Sequence, residues 1–146
     1  MTAEESARSL GIEFPDVERG YLNLCIQAGS LLYTSGHTSD RKGMLGRDLD
    51  VEEGYAAARE CAVKILQTVH AYHGGIDDVR LLKLLGCVWS HHDFAEQHLV
   101  MNGASDLFHS VFGMDRGYHA RSALGFAALP NGAAVEVEAI FEIVDR

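Results

Sequence analysis

The chain has 146 residues, 47% of them hydrophobic, and a formal net charge of -9. That length suffices for one domain with a real core, and that charge repels phosphate backbones, so nucleic acid is not an expected partner. The opening MTAEESARSLGIEF carries no signal-peptide apolar segment and no apolar run approaches membrane-spanning length, so a cytoplasmic protein that uses no membrane is expected.

Residues 1–20 are mixed and polar, with Pro15, and read as an N-terminal extension ahead of a single domain over 21–146. YLNLCIQA and LLYTSG are rich in strand formers and flank Gly29-Ser30, a hairpin signal. HTSDRKGMLGRD is loop chemistry; its Arg41, Lys42 and Arg47 are a solvated loop first and an anion-steering loop second. Asp50 stands three residues before Glu53, the spacing of a capping box, and opens a helix with Ala58, Ala62, Ile65, Leu66 and Val69 on one face. Gly74-Gly75 closes it. VRLLKLLGCVWS is long and mostly apolar and predicts an internal strand. A short helical turn at 93–99 and a second helix from Ala104 to Phe112, closed by Gly113, are expected, because Asn102-Gly103 interrupts a continuous helix. HARSALGFAAL and AAVEVEAIFEIV are the last two strands. The order is strand, strand, helix, strand, helix, strand, strand: an α+β fold, a sheet with its two main helices on one face. Cys25, Cys61 and Cys87 are isolated, odd in number and in apolar company, which fits reduced, buried thiols.

If Asn131-Gly132 is a tight two-residue turn, the last two strands pair directly. One face then carries Ser122, Leu124, Phe126 and Ala128 with Val135, Val137, Ala139 and Phe141, and suits helix packing. The other carries Arg121, Ala123, Gly125 and Ala127 with Glu136, Glu138, Ile140 and Glu142, and is left to water or another subunit. In this register Glu142 lies opposite Arg121, and an ion pair is one account of the arginine. Glu136 lies ~20 Å from Arg121 along the strands. A site using both must then be completed across a subunit boundary.

HARSALGFAALPNGAAVEVEAIF resembles the closing signature of the Rid family (the YjgF group, also called endoribonuclease L-PSP-like): an arginine followed by Ser or Thr, a Leu-Pro turn, then V-E-x-E-A. GSLLYTSGH, GRDLDVEEGYAAARECAVKIL and DDVRLLKLLGCVWSHHDF resemble its first hairpin, first helix and middle strand, so the similarity runs from about Tyr21 to Val144. The resemblance implies a chorismate-mutase-like mixed sheet, a homotrimer with a cleft at each subunit boundary, and hydrolysis of reactive 2-aminoacrylate-type enamines, as imines, to 2-keto acids and ammonia without a cofactor. On this carry-over Arg121 grips the substrate carboxylate, Glu136 holds the hydrolytic water, and Ser35 and Asn102 line the cleft. Two positions depart from the family. Leu22 stands where many active members carry a tyrosine, and Ala123 where Cys or Thr is common. The stretch between Phe94 and Asn102 is also longer than in the commoner members. These departures keep a second reading open, a non-catalytic protein that binds a small keto acid. RNA cleavage, taken from the family's other name, fits the acidity poorly.

His91-His92-Asp93 invites a metal reading. Adjacent histidines in a strand face opposite sides and no third ligand has diagnostic spacing, so no metal is expected. Taken alone, Ser35 reads as a strand-end hydroxyl bonding backbone, and Glu136 as one of three acids on a solvated strand face.

Overall fold

The computed structural model describes residues 1–145. Helix α1 (Ala3–Ser9) is followed by β1 (Cys25–Ala28), β2 (Leu31–Thr34), the short β3 (His37–Thr38), α2 (Val51–His73), β4 (Val79–Trp89), α3 (Gln97–Gly117), β5 (Ala120–Phe126) and β6 (Val135–Ile143). The strands form one mixed sheet in the order β1-β2-β6-β4-β5, with β3 also on β6. Helices α2 and α3 pack against one face. Their apolar stripes meet Leu84, Val88, Val135, Val137 and Phe141, all fully buried.

Local chemistry sets the elements. Gly29 takes φ 61 in the β1–β2 hairpin, which an L side chain resists. Asp50 Oδ1 accepts from the Glu53 N–H at 2.8 Å while Glu53 reaches back to the Asp50 N–H, completing the capping box of α2. Gly74 ends that helix in the left-handed region at φ 93. Cys25, Cys61 and Cys87 are buried free thiols. The N-terminal residues do more than extend: α1 rests on α3 and buries Ala7 completely.

Helix α3 departs from expectation, for it runs straight through Asn102-Gly103. Gly103 is required here by packing. A Cβ at this position would lie 2.0 Å from the Tyr55 carbonyl oxygen, so the glycine lets α2 and α3 touch backbone to backbone. The expected stop at Gly113 is present, with φ 73 and ψ -171.

The last two strands do not pair. β4 lies between them, parallel to β5 with Leu84 opposite Arg121, and antiparallel to β6 with Cys87 opposite Glu136. Asn131 and Gly132 do take the positive φ values, 58 and 72, that their sequence favours, but the turn carries the chain over the end of β4, where the Trp89 N–H donates to the Ala134 carbonyl at 2.9 Å. A parallel neighbour needs a crossover, and α3 supplies it. The consequence is an inversion of β5. Arg121, Ala123 and Gly125 face the helices, whereas Ser122, Leu124 and Phe126 face the open side, Leu124 with 49% exposure. On β6 the expected faces hold. Glu142 pairs with Arg80 on β4 rather than with Arg121.

Candidate functional site

Three residues on α3 hold the Arg121 guanidinium. Nη1 donates to Asn102 Oδ1 at 2.9 Å and to Ser105 Oγ at 3.1 Å; Nη2 donates to the His98 carbonyl at 3.3 Å. Positions 98, 102 and 105 are i, i+4 and i+7, one stripe of a helix. The half-buried arginine therefore clamps the outermost strand onto α3. Three of its five N–H groups are used. Among the described residues Nε–H and the second Nη2–H meet no acceptor, and the Nε–Nη2 edge is the fork that matches a carboxylate.

The clamp continues inward. His119 Nδ1 lies 2.6 Å from the Gly117 carbonyl, which can only accept, so that nitrogen carries the proton. Its Nε2 is then an acceptor, 2.9 Å from Ser105 Oγ. Burial lowers the imidazole pKa, the Gly117 hydrogen bond opposes it, and His109 and Arg121 add to the lowering. His109 stacks on Tyr118 at 4.3 Å beside it.

Glu136 stands on the other side of the sheet. Its carboxylate lies over Gly36, where an added Cβ would come within 2.4 Å of Oε2. Burial, then the neighbouring Glu138, raise its pKa. Ser35 adjoins Gly36, but its Oγ donates to the Asn23 carbonyl at 2.8 Å and its N–H to the Leu24 carbonyl. The fold thus makes two groups: Arg121 with Asn102, and Glu136 with the Ser35-Gly36 corner. Within one chain the sheet separates them.

His91 and His92 lie in a turn, not a strand. Their rings are 4.1 Å apart, and with Asp93 they offer three ligand atoms within 4.8 Å of one another. The turn could hold a transition metal ion by ligand type. However, His91 Nδ1 already accepts from the Asp93 N–H, and His92 and Asp93 extend into water with side chains 79% and 80% exposed, held by the 3.3 Å contact between His92 Nε2 and Asp93 Oδ1. Concavities lie elsewhere too. One of about 540 Å3 separates α1 from the end of α3, away from Arg121. Another of about 430 Å3 lies in the open sheet face among Tyr33, Lys83, Ser122 and Glu138.

Ser105 and His119 escaped sequence reasoning. The signal was present: Ser105 is three residues after Asn102 on a helix, and His119 two before Arg121 in extended chain leading into β5, so each pair shares a face. Reading it required knowing that this strand face meets this helix.

The endoribonuclease L-PSP family model matches residues 12–143. The chain belongs to this family. A family relative, protein TCP17 of Trypanosoma cruzi, is 43% identical over 143 residues, spanning 92% of this chain and 89% of that one. The solved structure of Atu1372, a protein of unknown function from Agrobacterium tumefaciens, is 40% identical with a TM-score of 0.89, covering 99% of this chain and 94% of that one. TdcF of Escherichia coli, crystallised with bound serine, shares the fold at 21% identity and a TM-score of 0.60, covering 90% and 93% of the two chains. No helix among the described residues of this family member is long and apolar enough to cross a membrane.

Proposed function

We propose that the protein is a hydrolytic deaminase of small, reactive carboxylate-bearing imines and enamines, working at boundaries between copies of a homotrimer. The observation that carries this reading is the Arg121 clamp, which leaves the carboxylate-matching fork free. The serine bound by TdcF, a small carboxylate on the same fold, is in keeping with that ligand class.

In the proposed reaction the Arg121 fork holds the carboxylate and so places the adjacent C=N carbon. Glu136 of a neighbouring copy orients a water and takes its proton as the oxygen attacks. The C=N pair of electrons moves to nitrogen, giving a carbinolamine. Glu136 returns the first water proton to that nitrogen, the same carboxylate then relays the hydroxyl proton to it, and collapse of C–O to C=O expels ammonia and leaves a 2-keto acid. The raised pKa of Glu136 suits a group that must accept and return a proton. No cofactor enters the scheme.

Ammonia and pyruvate release from 2-aminoacrylate generated in situ tests the reading. Arg121→Ala should lower the rate at least about tenfold, the loss expected for a charge-assisted fork, while leaving the assembly intact. Turnover equal to the parent's would remove Arg121 from the mechanism. A binding-only reading has its own support. Leu22 is solvent-exposed ahead of β1, and Ala123 packs on the core with no polar side-chain atom to offer substrate. Tight binding of 2-oxobutyrate with no ammonia released would favour it.

A further inference from the structure

We propose that Ser105 and His119 are positioning residues that aim the Arg121 guanidinium at its carboxylate. The inference rests on the carboxylate reading of Arg121 and deepens it.

The chain of bonds has one consistent direction. The Gly117 carbonyl fixes the proton on His119 Nδ1. The bare Nε2 then draws the Ser105 hydroxyl proton, 2.9 Å away. Once that proton is committed, Ser105 Oγ turns a lone pair to Arg121 Nη1 at 3.1 Å. A serine on a helix otherwise turns its hydroxyl to a carbonyl one turn back, so the imidazole decides which way Oγ faces. The serine is 5% exposed, so water does not compete for it. The imidazole cannot swing freely either, with His109 on one side and the Phe108 ring, nearly perpendicular to it, on another.

The geometry at Arg121 converts this into aim. Nη1 has two hydrogens and both are held, one by Asn102 and one by Ser105. Two anchors on one nitrogen fix the guanidinium plane. Without Ser105 the plane keeps Asn102 on Nη1 and only the longer 3.3 Å bond from Nη2 to the His98 carbonyl, so the Nε–Nη2 edge is held less firmly in its direction. Neither residue touches the ligand in this scheme. Their effect passes through Arg121.

The test combines a spectroscopic signature with binding. In the histidine 15N-labelled, full-length protein at neutral pH, His119 should show a proton on Nδ1 and a pyridine-type Nε2. Calorimetric titration with 2-oxobutyrate should show about tenfold weaker binding in Ser105→Ala and His119→Phe, the scale of a lost hydrogen bond to a charged group. His119→Gln, whose amide oxygen can accept from Ser105, should recover most of it. Phenylalanine keeps a flat aromatic ring, only slightly larger, so melting temperatures near the parent's would separate aim from folding. If that variant does not fold, the tautomer and Ser105→Ala decide. An Nε2–H tautomer, or parental affinity in Ser105→Ala and His119→Phe while Arg121→Ala loses the ligand, would overturn the positioning role and leave the carboxylate reading standing. Parental affinity in Arg121→Ala would remove both.

Discussion

Glu136 shows how a side chain's surroundings set its chemistry. It is half-buried over Gly36 with Glu138 two residues on, and burial and that charge hold its carboxyl above the ordinary 4.5. The folded chain keeps a proton that the unfolded chain releases, so the stability tied to this group falls as pH rises from the unfolded value through the folded one. Glu136→Gln removes that titration. The variant should melt at the parent's temperature below pH 4.5, where both carry a neutral group, and above it at pH 7. The gain is small because the group is partly solvated. Scanning calorimetry at the two pH values checks it, and an equal difference at both would show that ionisation is not the cause. That Glu136, rather than Glu138 or Glu142, sits in this corner was not legible from alternation along β6, which treats the three alike. It follows from β3 and Gly36, which lie far from Glu136 in sequence and reach it only through the sheet. Arg121 was singled out by its signature, yet its partners belong to a helix whose placement no local pattern reported.

Elements were more legible than their neighbours. The capping box of α2, the hairpin glycine and the αL stop at Gly74 each depend on a few adjacent residues, and each lies where the sequence puts it. Two failures have one origin, the influence of distant chain. Gly103 read as a helix breaker because a glycine costs a helix about 1 kcal/mol relative to alanine. Its role becomes visible only when Tyr55 of α2 arrives against it. Asn131-Gly132 kept its turn conformation, but β4 outcompeted β5 as the partner of β6. The order β4, α3, β5 carried the missing clue, since a helix between two strands of one sheet calls for a parallel pair. Gly103→Ala puts these views in opposition. Propensity alone makes it stabilising. The 2.0 Å approach to backbone, which cannot rotate aside, makes it destabilising by about 2 kcal/mol or more, as overpacked cores are. Urea unfolding should show a lower midpoint with an unchanged slope. A raised midpoint would mean that α2 and α3 separate at little cost.

At the scale of the whole molecule, the division of the site between two faces of the sheet becomes a prediction about assembly. Arg121 faces α3 and Glu136 faces the open side, with β4 between their strands, so no rotamer change brings them together in one chain. That open side also exposes Tyr33, Leu124 and Phe126, apolar side chains that an adjoining copy would cover. If a site draws Arg121 from one copy and Glu136 from the next, two inactive variants should rescue each other. Chains carrying Arg121→Ala still supply Glu136, and chains carrying Glu136→Gln still supply Arg121. In a randomly mixed cyclic trimer about a quarter of the boundaries would join an intact arginine to an intact glutamate. Unfolding and refolding the two variants together should therefore return about a quarter of the parental ammonia-release rate, where each alone returns almost none. Rescue depends on exchange, so combining the two folded variants without unfolding should return none. A mixture that stays inactive after verified exchange of copies would mean that the two residues serve no common site, and Arg121 would then act without Glu136.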